Sequence, residues 1–272
     1  MKYSIRYTLL FLCSSLLISC EKAIDLKLAD TTPQYVIEGV VTNEAGGSKV
    51  SISQTKNFTD NNSFNAINGA QVSISNNDTT YSLTQTASGV YQNNTLTGRP
   101  GQTYQLTVQI QGKMFTSICT MPQPVALDSI YLTIDKLNNN KDGSTRKYVT
   151  VKYTDPSAIK NYYRFVQYIN GRKEKTVFLD NDEFTNGQTV NSQLRFDNDN
   201  DDPMRDIRPG NQVTIEMLSI SSDVYKYWYS LTSGADGSGN NAAPANPLSN
   251  IQGGSLGYFS AHAIQRKSLV AP

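Results

Sequence analysis

Short segments in which apolar and polar residues alternate recur from position 35 to the end of the chain, and they constrain the fold more than any other feature. Residues 50–53 (VSIS) and 104–110 (YQLTVQI) both alternate with a period of two. That period places successive side chains on opposite faces of a strand, so that one face can be buried. Because Gly, Asn, Asp and Pro separate the segments at spacings of about 8–12 residues, the pattern predicts a mainly β fold.

Two prolines divide the predicted strands into two groups. Pro122 and Pro124 interrupt the alternation near the middle of the chain. We therefore predict a β-sandwich domain over residues 33–122 and a second β-rich domain over residues 125–272. The sandwich is expected because its short strands alternate cleanly and are joined by turn residues.

The second half also contains a hairpin signal and a helix signal. Asn170-Gly171 lies between two strand-like runs, and this pair is typical of a two-residue hairpin turn. The polar run at residues 221–223 (SSD) favours the start of one short helix over residues 224–231.

The first twenty residues have the composition of a bacterial export signal. Lys2 and Arg6 precede an apolar run at residues 8–18, which suits the core of a signal peptide (~7–15 residues) and is shorter than the ~20 residues needed to span a bilayer. Residues 17–20 (LISC) resemble the lipobox of bacterial lipoproteins, which implies that Cys20 is acylated and begins the mature chain. The alternative is an ordinary signal that is cleaved near Ser19 and leaves Cys20 unmodified.

These features divide the N-terminal region into a signal peptide and a tether. We predict a lipoprotein signal peptide over residues 1–19 and a lipidated polar tether over residues 20–32. After the signal, the sequence contains no apolar run that is long enough to span a bilayer. The lipid is therefore the membrane attachment that the sequence predicts.

The charge balance argues against a nucleic-acid-binding protein, and the cysteine content argues against a fold that is stabilised by disulfides. The 24 Lys and Arg residues balance the 23 Asp and Glu residues to a net charge of +1, which argues against a basic nucleic-acid-binding face. Of the three cysteines, Cys13 lies in the signal and Cys20 is the predicted lipidation site. Only Cys119 is left, so we expect no intramolecular disulfide, and the fold must be held by its hydrophobic core.

A run of acidic residues gives one candidate metal site. Asp197, Asp199 and Asp201 stand at alternate positions, and carboxylates at this spacing in a loop can surround Ca²⁺, which takes six to eight oxygen ligands. The EF-hand pattern itself is absent, because the loop lacks the Gly and the final Glu that the pattern requires. The alternative is a solvated acidic loop with no bound ion.

A second candidate site consists of aromatic residues near the predicted helix. Tyr225, Trp228 and Tyr229 are candidate contacts for a ligand or a protein partner, since aromatic side chains anchor many interfaces. The alternative is packing in the core, which suits Trp228 because it shares a helical face with Val224 and Leu231.

Catalytic residues are not evident in the sequence, and we predict that the protein is not an enzyme. His262 is the single histidine, so a histidine-dependent triad would rest on it alone, within a predicted strand. Cys119 ends a predicted strand and is expected to be buried and inert. A hydrolase acting through clustered Asp and Glu residues is a further hypothesis, and it would need two carboxylates ~5–10 Å apart in one cleft.

Two family resemblances add to this interpretation. The run from residue 69 (GAQVSIS) to residue 122 (TMP) resembles immunoglobulin-like or transthyretin-like modules of surface proteins, which implies a spacer or interaction domain. The lipobox together with YVIEGVVTN, GAQVSI, SGVY, GQTYQLTV, NYYRF, DVYKYWYSL and NPLSNIQGGSLGYFSAHAI resembles a family of Bacteroidota outer-membrane lipoproteins that is defined only as a domain of unknown function.

Members of that family resemble accessory lipoproteins that accompany TonB-dependent receptors. The resemblance therefore implies a non-enzymatic outer-membrane lipoprotein that docks on such a receptor or binds its ligand. A structural or adhesive role at the cell surface is the alternative function, and neither role requires a cofactor.

The lipidation site gives the first testable prediction. Replacing Cys20 with Ala removes the thiol that would carry the lipid, so the protein should move from the membrane fraction to the soluble fraction. Mass spectrometry of the native N-terminus should find an acylated Cys20 as the first residue. An unmodified peptide that runs through Cys20, or a C20A variant that stays in the membrane, would contradict the prediction.

Overall fold

Strands dominate the computed structural model, which describes residues 32–56, 65–140, 142–196, 202–235 and 246–272. In this part of the chain the strands are β1 (Tyr35–Thr42), β2 (Lys49–Gln54), β3 (Gln71–Ser75), β4 (Thr80–Ala87), β5 (Val90–Gln92), β6 (Thr103–Ile110), β7 (Lys113–Thr120), β8 (Leu127–Asn139), β9 (Thr145–Thr154), β10 (Tyr162–Ile169), β11 (Arg172–Lys173), β12 (Phe178–Asn181), β13 (Thr189–Leu194), β14 (Gln212–Ile220) and β15 (Leu256–Val270). The helical elements are α1 (Ser222–Ala235) and a short 3-10 helix (Pro203–Arg205). The mainly β fold with one helix is therefore confirmed.

Most strands belong to one 12-stranded sheet. Its order is β11-β10-β14-β15-β1-β2-β5-β4-β3-β6-β7, with β12 also paired to β10, and a second sheet has the order β13-β9-β8. The first strand, β1, pairs with β2 on one side and in parallel with the last strand, β15, on the other. The two ends of the described chain are thus joined by backbone hydrogen bonds.

The predicted boundary near residue 122 does not interrupt this sheet. Strands from both sides of Pro122 contribute to it, and Pro33–Lys56 and Asn61–Pro272 belong to one compact unit. The physical reason is the pairing of β1 with β15, because a parallel pair between distant segments leaves no local signal in the sequence.

Two hydrophobic cores lie within this unit. The first contains Ile37 of β1, Leu106 of β6 and Phe259 of β15, all fully buried, and the helix packs against it. The second contains Val151 of β9 and Ile215 of β14, and it lies between the three-stranded sheet and the C-terminal part of the large one. The first core therefore draws residues from both predicted halves, whereas the second core draws its residues from the second half alone.

The hairpin and helix predictions agree with the structure in position. Asn170 and Gly171 have φ values of 50° and 79°, and they connect β10 to β11 in an antiparallel pair. The helix begins earlier and ends later than predicted, because Ser221 receives hydrogen bonds from the backbone of the first turn and no proline stops the helix after residue 231.

The close approach of β1 and β15 predicts a large effect of one substitution. Gly257 has φ +97°, and a Cβ there would lie 2.0 Å from the carbonyl oxygen of Ile37. Gly257→Ala should therefore lower the free energy of unfolding by about 3 kcal/mol or more, as measured in urea.

The matched control is Gly112→Ala in the turn between β6 and β7. Gly112 has φ +80°, but a Cβ added there would meet no heavy atom within 4 Å, so only backbone strain of about 1 kcal/mol is expected. Equal losses for the two variants would show that contact between β1 and β15 is not what makes Gly257 necessary.

Candidate functional site

Helix α1 presents three sides with different roles. Val224 and Tyr227 are buried in the first core, and Trp228 and Leu231 pack against it. These positions follow the spacing of one helical face. The remaining positions leave two sides of the helix away from the core.

The buried side of the helix contacts Arg164 of β10. The guanidinium carbon of Arg164 lies 3.6 Å from the centre of the Trp228 ring, and Tyr258 of β15 packs against that ring at 5.1 Å. Burial lowers the pKa of Arg164 and raises the pKa of Tyr258 to about 12. Trp228 therefore covers a cation on the sheet, an arrangement that stabilises the position of the helix.

A second side of the helix exposes an aromatic stack. The rings of Tyr225 and Tyr229 lie 6.0 Å apart with an interplanar angle of 17°, and Tyr162 of β10 packs against Tyr225 at 5.1 Å. Asn181 donates a hydrogen bond of 2.9 Å to the Tyr225 hydroxyl. Tyr229 is 57% exposed, so its ring is available for contact from solvent.

The third side of the helix forms one wall of a groove. The groove lies between the start of α1, the outer surface of β6 and β7, and the segment before β15, and it has a volume of about 550 Å³. Its lining combines amides, hydroxyls, two aliphatic side chains and one ion pair, from Gln105, Thr116, Ser117, Ile118, Asp223, Lys226, Leu248, Ser249, Asn250 and Gln252.

The floor of the groove is held rigidly. The Asn250 side chain donates to the carbonyl of Phe259 at 2.8 Å and accepts from the N–H of the same residue at 2.9 Å. The backbones of Thr116 and Gln252 exchange two hydrogen bonds of 3.2 and 2.8 Å. Lys226 and Asp223 pair at 3.1 Å within the helix, which leaves the groove without an uncompensated charge from its own lining.

The groove continues into an uncharged sheet surface. Cross-strand rows of outward side chains run over β4, β3, β6 and β7, and they comprise Ser82, Ser73, Thr107 and Thr116 in one row and Thr80, Ser75, Gln105 and Ile118 in the next. A second depression of about 580 Å³ lies on the same strands and is lined by Gln71, Ser73, Thr80, Ser82, Thr107 and Gln109, among others. This surface offers hydrogen-bond donors and acceptors without formal charge.

The predicted calcium ligands Asp197, Asp199 and Asp201 lie outside the described residues. Their described neighbour Asp202 pairs with Arg172, and hydrogen bonding from that guanidinium lowers the pKa of Asp202 to about 2. No group of three or more potential metal-binding side chains occurs among residues that the structure describes.

Carboxylates near one end of β10 are engaged in internal hydrogen bonds. Two of them accept hydrogen bonds from buried tyrosine hydroxyls: Asp155 from Tyr163, and Asp180 from Tyr153 at 3.0 Å. A third, Asp182, accepts a hydrogen bond of 2.9 Å from the backbone N–H of Asn161. Burial and these acidic neighbours raise the pKa of both tyrosines. The carboxylates anchor loops here, which gives the hydrolase hypothesis no support at this position.

Cys119 and His262 are both buried. The Cys119 sulfur accepts a hydrogen bond of 3.2 Å from the Ala261 N–H, and burial raises the pKa of its thiol. His262 Nδ1 lies 2.8 Å from the hydroxyl of Ser260, on the same face of β15. Burial, together with the nearby charge of Arg164, lowers the pKa of His262 to about 4.

Sequence reasoning found the aromatic residues of the helix but missed the groove. Its lining comes from three distant segments, and although these overlap the runs that carry the family resemblance, none of them indicates a binding site by itself. One signal was available, because the outward positions of β3, β6 and β7 carry no charge although charged residues make up 17% of the chain.

The buried histidine predicts a specific loss of stability in acid. Because the folded state holds His262 neutral, protonation near pKa 6.5 in the unfolded state favours unfolding as the pH falls from about 6.5 towards 4. This single group should cost about 2–3 kcal/mol between pH 7.5 and pH 4.5. His262→Gln should reduce the difference in urea stability between these two pH values by that amount, and an unchanged difference would contradict the assignment.

No helix within the described ranges has the length and apolar character required to cross a membrane.

Comparison with protein families gives a match over most of the chain. A search of curated proteins finds no match to this sequence. The family described as "Domain of unknown function (DUF4249)" matches residues 21–268, from the residue after Cys20 almost to the end of β15. The chain therefore belongs to the DUF4249 family.

Proposed function

We propose that the protein is a non-enzymatic lipoprotein of the outer membrane that acts as a ligand-binding or accessory subunit of a TonB-dependent uptake system. The observation that carries the ligand-binding role is the groove beside α1, with its uncharged, hydrogen-bonding lining. Its volume of about 550 Å³ lies within the range of ~300–1,000 Å³ typical of small-ligand sites. The membrane location rests on the N-terminal signal and on Cys20.

The family match supports a chain that consists of a lipidated N-terminus followed by a folded domain. It begins at residue 21, directly after the cysteine that is predicted to carry the lipid. The matched region and the predicted mature chain therefore have nearly the same start. A folded domain on a lipidated tether would be held close to an importer in the same membrane, which raises its effective concentration there.

The lining of the groove suggests the chemistry of the ligand. Gln105, Thr116, Ser249 and Gln252 bring amide and hydroxyl groups together, while the aliphatic side chains of the lining, Ile118 and Leu248, are 66% and 62% exposed and supply apolar contact. Such a surface suits an uncharged molecule with many hydroxyl or amide groups and some apolar surface. Because neither such a ligand nor the groove lining carries a net charge, the affinity should depend little on ionic strength.

The exposed tyrosine stack is the proposed contact for the protein partner. Tyr229 is not among the residues that line the groove, although it follows Lys226, which does line it, by one helical turn. A partner bound at Tyr229 would therefore sit beside the groove without occupying it. Exposed tyrosines supply large contact area at low conformational cost.

One substitution tests the ligand-binding role. Thr116→Arg places a long charged side chain in the groove, and it should weaken binding of a neutral ligand by about tenfold or more. The full lipoprotein in detergent would be titrated by calorimetry against uncharged oligosaccharides and short uncharged peptides. Thr189→Arg, at an exposed position of β13, is the matched control and should leave binding unchanged.

A second experiment tests the partner. Affinity purification of the native lipoprotein from detergent extract should recover a TonB-dependent receptor, and Tyr229→Ala should reduce the recovery while ligand binding persists. Absence of a receptor, together with no ligand in the panel, would overturn the proposal. Loss of cell attachment on deletion with normal nutrient uptake would instead favour the structural or adhesive alternative.

A further inference from the structure

The groove beside α1 exposes a backbone edge of β7. The pairing of β6 with β7 keeps one register over its whole length, and in such a ladder the backbone groups of successive residues point alternately towards and away from the neighbouring strand. Thr116 exchanges two hydrogen bonds with Gln252, on the side of β7 away from β6. The Met121 N–H donates to Gln102 at 2.9 Å, on the side of β6. Even-numbered residues of β7, Ile118 among them, therefore point their N–H and C=O groups to the outer edge.

The outer edge is free at Ile118. In the register of the contact with Gln252, the next residue to face Ile118 would be Asn250. The Asn250 side chain instead binds both backbone groups of Phe259, and its carbonyl accepts from the Ser117 hydroxyl at 2.8 Å. The segment thus turns away from β7 and forms the floor of the groove. No residue in the described ranges makes a backbone hydrogen bond to Ile118 on this side, and Ile118 is 66% exposed.

This free edge and α1 border the same groove. Ile118 and Gln105 line it from the sheet, and Asp223 and Lys226 line it from the helix. An exposed N–H and C=O on one residue are complementary to the backbone of an extended peptide, which can add to a sheet edge as a further strand. The described lining contains no aromatic ring on which a sugar would stack.

We propose that the groove binds an uncharged oligopeptide in an extended conformation, which adds to the sheet beside β7 through the backbone of Ile118. This inference rests on the proposed ligand-binding function and names the class of ligand. Alternate side chains of the peptide lie on the same face of the sheet as Ile118 and Gln105. A β-branched residue beside Ile118 is favoured, because such residues are good cross-strand neighbours.

A scan of N-methylated peptides tests the backbone pairing. Acetylated and amidated heptapeptides of Ser, Thr, Asn, Gln, Val and Ile would be titrated by calorimetry against the full lipoprotein in detergent. In the tightest binder, N-methylation of one residue should weaken binding by about tenfold, because that N–H donates to the Ile118 carbonyl. N-methylation of the residues directly before and after it should have little effect, because their N–H groups point away from β7.

Ile118→Pro tests the same contact from the protein side. Proline lacks the N–H, and because this N–H faces the edge, no hydrogen bond to β6 is lost. The variant should weaken binding of the same heptapeptide by about tenfold. The matched control is Met114→Pro, which removes another outward N–H of β7 at a position that does not line the groove, and it should leave binding unchanged. Unfolding in urea reports whether each variant keeps its fold.

Hydrogen exchange of the unaltered protein gives a readout that needs no variant. The Ile118 amide should exchange rapidly in the free protein and at least about tenfold more slowly when the heptapeptide is bound. The Cys119 amide faces β6 and should be protected in both states.

The outcomes separate this inference from the function on which it rests. Binding of uncharged oligosaccharides but of no heptapeptide would overturn the peptide inference and leave the ligand-binding function in place, whereas binding of neither would overturn both. A uniform effect of N-methylation along the peptide, or an Ile118 amide whose exchange is unchanged by bound peptide, would also overturn the inference.

Discussion

The fold depends on the parallel pairing of its first and last strands. Residues from Val36 to Thr42 of β1 pair with Leu256 to His262 of β15, and β1 also pairs with β2. The close approach requires glycine on both strands, since a Cβ at Gly39 would lie 2.9 Å from the Phe259 ring. Through this pairing the two hydrophobic cores become parts of one unit, because β15 contributes Phe259 to the first core and Leu269 packs against the second.

Local patterns predicted many of the strands and one hairpin, but they did not predict the pairing of strands that are distant in the sequence. The alternation over residues 104–110 predicts β6, and the Asn170-Gly171 turn predicts the β10–β11 hairpin, because both depend on neighbouring residues. The pairing of β1 with β15 depends on residues more than 200 positions apart, so alternation alone cannot identify it. For the same reason the sequence indicated the tyrosines of α1, which are adjacent in the chain, but not a groove assembled from β6, β7 and residues 248–252.

Charged residues are distributed unevenly over the strands. Arg266 of β15 donates hydrogen bonds to Glu216 at 2.7 Å and to Glu44 at 3.0 Å, and Tyr168 donates to Glu216 at 3.2 Å. These hydrogen bonds link Arg266 to a carboxylate of β14 and to Glu44 in the turn after β1. By contrast, the outward positions of β3, β6 and β7 hold only polar uncharged or apolar side chains. A neutral ligand at the groove would therefore meet a surface that needs little desolvation of charge.

The position of β1 has a mechanical consequence for a protein tethered at its N-terminus. Cys20 precedes Tyr35 by 15 residues, a length that reaches about 50 Å when fully extended. Tension on such a tether would act along β1, an interior strand bonded to neighbours on both sides. A force directed along the strand loads the hydrogen bonds of both ladders together, whereas a force directed across the strand would break them one after another. An interior first strand that is bonded on both sides thus resists a pull along its axis better than an edge strand with a single ladder.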